Sequence, residues 1–428
     1  MRRRGTGTAP SHRHLVVLGS LYLVQDIGYS FFFVTYAAIL RSQGVSLNTL
    51  ALTNIIGIVW ALKFLWAPWV DRFGLPRIGH YRGWLLGTQL LMLLLLGGLA
   101  LVDPVRQLPA VLTLMAALLL VSGTQENAIN GLAVAVLSTG QRPMAGGLQL
   151  ASAYTSAVIG SGGALFVYAQ AGWAAAVGTV AAVFLVPLAV LARYREPART
   201  AVPQGHGPGL RSLTQFLRGA GRARWALLVM PMYVCGGYLV QALVTPMLLR
   251  VDWSLSRIAF LQNTVAALVS AAVGVAAGLW TRRLGRARAL LLFALLKTVA
   301  LLCLLPLAAG NASDAVASCA VIGVSAATTC ALSAMFTVVM DVARPEAAAS
   351  DFTLQLATTS LVRLAANSGG LALAGLLGFT PLVIGGAVTT LVGAVLCEAW
   401  MRRSYPKAVE ASRNGGGSLL TPAATSSG

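Results

Sequence analysis

Charge is what this chain has least of. Only 10% of its 428 residues are Asp, Glu, Lys or Arg, while 57% are apolar, and the mean hydropathy is +0.77. Soluble domains carry roughly 25% charged residues, so too little polar surface is present to coat a fold of this size in water. Histidine is also scarce. The four, His12, His14, His80 and His206, sit in predicted loops or the N-terminal tail, which argues against a buried haem or metal centre. The five cysteines (Cys235, Cys303, Cys319, Cys330 and Cys397) lie inside apolar runs and none makes a CxxC pair. They read as small core hydrophobes rather than redox or metal ligands. No Ser/His/Asp set, zinc-ligand spacing or intramembrane histidine is present to support a membrane-embedded enzyme. No cofactor is expected.

What is there is a succession of long apolar runs. A helix needs about 20 such residues to cross a hydrocarbon core of ~30 Å. Twelve windows qualify: 15–39, 49–70, 83–102, 108–137, 144–168, 172–192, 225–249, 258–280, 288–309, 313–340, 353–378 and 380–401. The runs are continuous rather than alternating, which excludes a β-barrel. The first window is too long for the apolar core of a secretion signal and reads as a spanning helix.

The net charge of +19 is unevenly placed. With twelve crossings, 24 Lys and Arg fall on the side of the termini and four on the other, with Lys63, Lys297 and Arg363 inside windows. That asymmetry predicts cytoplasmic termini and contact with anionic lipid, and no nucleic-acid groove.

Residues 193–224, rich in Pro, Gly and Arg, divide the windows six and six. The predicted organisation is a tail over 1–14, a six-helix bundle over 15–192, a cytoplasmic linker over 193–224, a second bundle over 225–403 and a disordered tail over 404–428. The halves echo each other. Gln149 in "GGLQLASAY" matches Gln355 in "TLQLATTS", "DRFG" after the second window matches "RRLG" after the eighth, and Tyr22 with Tyr29 matches Tyr233 with Tyr238. Two parallel six-helix repeats predict an all-α membrane protein of twelve spanning helices in two pseudo-symmetric bundles, the major facilitator fold, with its site between the halves near mid-membrane.

Polar residues in the windows are the candidate site. The stretch "LYLVQDIGYSFFFVTYAAIL" (21–40) carries Tyr22, Gln25, Asp26, Tyr29, Phe33 and Tyr36 at three- and four-residue steps. The fourth window adds Ser122, Gln125, Glu126 and Asn130, and the fifth Gln149. The seventh adds Tyr238 and Gln241, and the eleventh Gln355, Thr359, Arg363 and Asn367. Intramembrane ionisable groups are costly and mark pathways. Asp26 and Glu126 are therefore the candidate proton carriers, since burial disfavours a carboxylate's charged form. Arg363 is expected to pair with an acid when the site is empty and with a substrate carboxylate when loaded. Tyr22, Gln25, Tyr29, Phe33, Gln125, Asn130, Gln149, Tyr238, Gln241 and Gln355 are candidate substrate contacts, with Trp60, Tyr154 and Tyr233 as further aromatic lining. Lys63 and Lys297 are expected to snorkel at helix ends, Lys63 forming a gate with Asp71 and Arg72. Asp341 and Glu346 are expected to be solvated. Glycine and serine stripes in the fifth and eleventh windows suit tight helix packing.

The block "WALKFLWAPWVDR" (60–72) resembles a branch of the major facilitator superfamily that holds muropeptide permeases, acetyl-CoA transporters and RhtX/FptX-type siderophore permeases. "TQENAINGLAVAVL" followed by "GGLQL" is more similar to the siderophore permeases, whose pattern carries acids where this chain has Glu126 and Asn130. The resemblance implies a bacterial inner-membrane permease that imports a siderophore or its iron complex with protons. It also implies the nearest alternatives: a muropeptide permease, or an exporter of siderophore or drug. Import is favoured because "GSGG" (160–163) lacks the proline of the efflux-antiporter signature.

Overall fold

The computed structural model describes residues 12–44, 62–75, 77–197, 209–219 and 221–414. Within them the protein is all-helical, with one isolated bridge between Leu75 and Gly79. Helices α1 (His12–Ser42), α2 (Ala67–Arg72), α3 (His80–Leu101) and α4 (Leu108–Val136) are followed by an unbroken run, Arg142–Arg193. That run bends at Gly172, whose φ of 80° no β-carbon-bearing residue adopts easily, into α5 (142–171) and α6 (173–193). A short helix, α7 (Arg211–Arg218), leads into α8 (Arg222–Arg250), α9 (Leu255–Leu284), α10 (Arg286–Ala308), α11 (Asp314–Val342), α12 (Pro345–Leu377) and α13 (Phe379–Arg403). The chain closes on α14 (Tyr405–Asn414). The second predicted window lies mostly outside the described residues. Its end is a 3₁₀ turn, Leu62–Leu65, and α2. The remaining windows each coincide with a spanning helix.

Small residues let the helices approach. A side chain on Gly160 would meet the Ile27 carbonyl oxygen at 2.7 Å, so α5 lies directly on α1. Thr35 Oγ1 reinforces that seam by donating to the carbonyls of Gly160 and Ser161 at 2.9 and 2.8 Å, and Ser156 Oγ donates to the Leu23 carbonyl. Between bundles, a β-carbon on Gly147 would overlap the Gly274 carbonyl oxygen, and one on Gly278 would lie 2.8 Å from that of Pro143. Pairing α5 with α9 in this way joins the two halves.

Two expectations are corrected. The tail predicted from 404 is helical to Asn414. Tyr405 and Ala408 turn inward from α14, and the Tyr405 hydroxyl donates to Asp341 at 2.8 Å. The linker likewise contains α7, whose Phe216 is buried and whose Ser212 carbonyl accepts from Arg344 at 2.8 Å. An amphipathic segment with an apolar face to bury gains more by docking than by remaining in water.

Because the α5–α9 seam tolerates no side chain, Gly147→Val is expected to force the bundles apart at this end. Alkylation of a single cysteine placed at Thr353 should accelerate several-fold in that variant.

Candidate functional site

The site is built where α1, the end of the second span, α4 and α12 meet. Helix α1 is interrupted at Asp26, where φ and ψ are −101° and −1°, and it loosens into a π-helical stretch over Phe31–Tyr36. On α4, consecutive turns send polar side chains in different directions. Ser122 Oγ donates to the Gln25 carbonyl at 3.1 Å. Glu126 forms a buried ion pair with Lys63 Nζ. Asn127 Nδ2 donates to the Lys63 carbonyl at 3.0 Å, and its Oδ1 accepts from Thr353 Oγ1 of α12 at 2.8 Å. Ser122 lies one turn from Glu126, and the Gln25 carbonyl it binds adjoins Asp26, so the two acids stand on neighbouring turns of packed helices, with Lys63 beside Glu126.

Three placements differ from expectation. Lys63 is 7% exposed and neutralises Glu126 instead of snorkelling. A buried carboxylate gains more from an adjacent ammonium than the ammonium gains by reaching for water several ångströms away. Lys297 is 2% exposed and donates to the Tyr233 carbonyl at 2.6 Å. Arg363 is exposed and makes no ion pair with either acid, so the empty-state pairing expected of it is not the one adopted.

The candidate contacts divide in two. Tyr29 (36% exposed), Phe33, Tyr238, Gln241 and Arg363 are wholly or partly accessible; the Tyr29 and Phe33 rings lie 4.5 Å apart. Tyr22, Gln25, Asn130 and Gln149 are buried beneath them, Gln149 Nε2 reaching Asn130 Oδ1 at 3.5 Å. Gln125 turns away to Thr88 of α3 at 3.5 Å. Gln355 is consumed inside its own bundle: it accepts from Trp225 Nε1 at 2.8 Å and donates to the Asp351 carbonyl at 2.9 Å. Tyr233 likewise gives its hydroxyl to the Leu290 carbonyl at 2.9 Å. Trp60 lies outside the described residues.

Below the site the bundles are bolted together. Asp71 is 4% exposed. It accepts from Tyr81 Oη at 2.7 Å, the amides of Ala349 and Ser350 at 3.0 and 2.8 Å, and Ser350 Oγ at 2.6 Å. A carboxylate of one bundle thus caps the first turn of α12 in the other, where free amides and the helix dipole favour negative charge. Its neighbour Arg72 is exposed, with its guanidinium 5.4 Å from the Phe73 ring. Asp341, expected in solvent, is 1% exposed. It accepts from Arg142 across the interface at 3.0 Å and from Arg286 at 2.9 Å. Arg286 also donates to the Thr139 carbonyl of the opposite bundle. Among the described residues, the hydrogen bonds between bundles run from Tyr154–Thr329 (3.1 Å) at mid-span to these at the arginine-rich face. Those bonds hold the described parts of the two bundles together at that face. Sequence reasoning missed Asn127 and the pairing of Arg142 and Arg286 with Asp341, because those partners are distant in the chain.

Removing one member of the buried pair strands the other. Lys63→Met is expected to destabilise the protein by about 3–5 kcal/mol, and Lys63→Met combined with Glu126→Gln should recover most of that loss, as read by thermal unfolding in detergent. Asp71→Ala should cost about 1–3 kcal/mol by uncapping α12, and the spin-label distance across the arginine-rich face should lengthen.

Comparison with known proteins agrees with this architecture. The Major Facilitator Superfamily model matches residues 18–367. The anhydromuropeptide permease of Escherichia coli is 25% identical over 266 residues, covering 61% of this chain and 54% of that protein. An uncharacterized protein of Haemophilus influenzae is 25% identical over the same length and is 63% covered. This chain thus spans little more than half of the permease. Among solved structures, the human organic anion transporter MFSD10 superimposes with a TM-score of 0.71 at 16% identity, covering 91% of this chain and 100% of that one. A bacterial homologue of the iron transporter ferroportin, in an outward-facing state, gives 0.68 at 17% identity over 91% and 100%. The family match over most of the chain, on a structure of ten spanning-length apolar helices among the described residues, gives one conclusion: this multi-pass membrane protein belongs to the Major Facilitator Superfamily.

Proposed function

We propose that the protein imports a siderophore, alone or as its iron complex, across the bacterial inner membrane with protons. The observation that carries the coupling is the buried Lys63–Glu126 pair, with Asp26 on the adjoining turn of α1. Two acids in one low-dielectric space do not both remain ionised cheaply. A proton taken up there releases Lys63 from Glu126 and leaves two cations, Lys63 and Arg363, to meet an anionic substrate. Tyr29, Phe33 and Tyr238 supply faces on which an aromatic or bulky polar solute stacks. The membrane potential adds about 2.3 kcal/mol per charge per 100 mV to inward movement. The charge asymmetry of the loops supports cytoplasmic termini, so the arginine-rich face is the cytoplasmic one and the site is poised to load from the periplasm.

The cargo class rests on the likeness of "TQENAINGLAVAVL" to siderophore permeases. A second reading, uptake of anhydro-muropeptides, is favoured by the 25% identity to the permease of that name. Uptake of radioiron-labelled ferric siderophores, supplied singly to cells that lack their own importers, separates the two. The siderophore reading expects uptake that a protonophore abolishes and excess anhydro-muropeptide does not compete. Accumulation of labelled muropeptide alone would transfer the assignment. Asp26→Asn and Glu126→Gln are each expected to flatten the pH dependence of uptake; an unchanged profile in both would remove the coupling role of these acids.

A further inference from the structure

The two halves use the same polar residues differently. Tyr22 and its counterpart Tyr233 are both 1% exposed, and Gln149 and its counterpart Gln355 are 5% and 0% exposed. In the second half every one of these side chains is satisfied by protein: Tyr233 by Leu290, and Gln355 by Trp225 and Asp351. In the first half Tyr22 Oη and Gln149 Oε1 are not, and three further polar atoms near them share that state. Tyr22 Oη, Gln25 Oε1, Asn130 Nδ2, Gln149 Oε1 and Arg142 Nε are buried without a protein partner. Buried polar atoms are otherwise almost always hydrogen-bonded, and a cluster lacking protein partners is where internal water is held.

These atoms are also arranged in order. On α4, Asn130 lies one turn, about 6 Å, below Glu126 toward the arginine-rich face. On α1, Tyr22 lies one turn below Asp26. On α5, Gln149 lies two turns above Arg142. The Gln149–Asn130 contact ties α5 to α4 at that level, and the Ser122–Gln25 and Ser156–Leu23 bonds tie α1 to both. Arg142, at the foot, also reaches the Val134 carbonyl at 3.4 Å and pairs with Asp341.

We infer that the first bundle encloses a water-filled cleft running from Glu126, past Tyr22, Asn130 and Gln149, to the Arg142–Asp341 pair, and that it carries protons to the arginine-rich face while the substrate route stays shut. The transfer is a relay: the Glu126 carboxyl gives its proton to the first water, each water passes one on, and one emerges at the foot. Glu126 pairs with Lys63 from the second span, and the Ser122–Gln25 bond sets Asp26, with Tyr22 one turn below it, on the adjoining stretch of α1. The relay rests on the proton-coupled reading above; the cleft itself does not.

Hydroxyl-radical footprinting with mass spectrometry tests the cleft, because radicals made from internal water oxidise adjacent rings. Tyr22 should label at least tenfold faster than the equally buried Tyr233, and Gln149→Leu or Asn130→Leu should slow Tyr22 alone. Equal, slow labelling of the two tyrosines overturns the cleft. For the relay, pH-jump currents are recorded on membranes presenting the arginine-rich face, with no substrate added. The wild-type transient should vanish in Glu126→Gln and slow about tenfold in Gln149→Leu. A wild-type current in Glu126→Gln defeats the proton-coupled reading. Loss in Glu126→Gln with wild-type speed in both Gln149→Leu and Asn130→Leu defeats only the relay.

Discussion

An ionised side chain at mid-bilayer costs about 2.5–3.5 kcal/mol even on insertion scales, and this fold holds several. The interaction that makes this tenable is the Lys63–Glu126 pair. It cancels one charge of each sign and fixes the second span against α4. Asp26 and Arg363 make no ion pair among the described residues. Asn127 extends the tie, holding the backbone at Lys63 with one end of its amide and Thr353 of the other bundle with the other. The ion pair and a contact between the halves are therefore linked through Asn127, so a change of charge at Glu126 is felt at the interface.

Arginine density at one face serves two purposes. It orients the chain, since translocating those residues is unfavourable. It also supplies partners for a buried acid. Asp341 collects Arg142, Arg286 and Tyr405, and Asp71 caps α12 instead of meeting a cation. These bonds are specific in geometry yet few, which suits a seal that must break for the cavity to open on that side. The small-residue seam of α5 and α9 serves the same end, because bare backbone surfaces separate without unlocking side chains.

Most of the architecture was legible in the sequence because lipid leaves few alternatives. Long apolar runs have to be helices, and the echo of Gln149 in Gln355 and Tyr22 in Tyr233 announced the two halves. The site was half legible. Asp26, Glu126 and Arg363 stood out as charges in apolar runs, and Glu126 pairs with Lys63. What a one-dimensional pattern does not carry is azimuth and partner. Gln125 and Glu126 are adjacent, yet a step of 100° sends one to Thr88 and the other to Lys63. Gln355 repeats Gln149 letter for letter but is tied down by Trp225, more than a hundred positions away. Asp341 looked solvated because its three partners come from two other helices and the chain terminus. The ordered ends, α7 and α14, were obscured by flanking Gly, Pro and Ser that outweigh one buried face in composition.

The central claim is that the mid-span charges look into a wet chamber between the bundles, sealed at the arginine-rich face. It is tested most directly by thiol accessibility in a variant with the five native cysteines replaced. Single cysteines at Gln241 and Arg363 should react quickly with a membrane-impermeant maleimide added to the face opposite the arginines, and slowly from the arginine-rich face. Reaction only with a lipid-soluble reagent would place both positions in the bilayer and contradict the account.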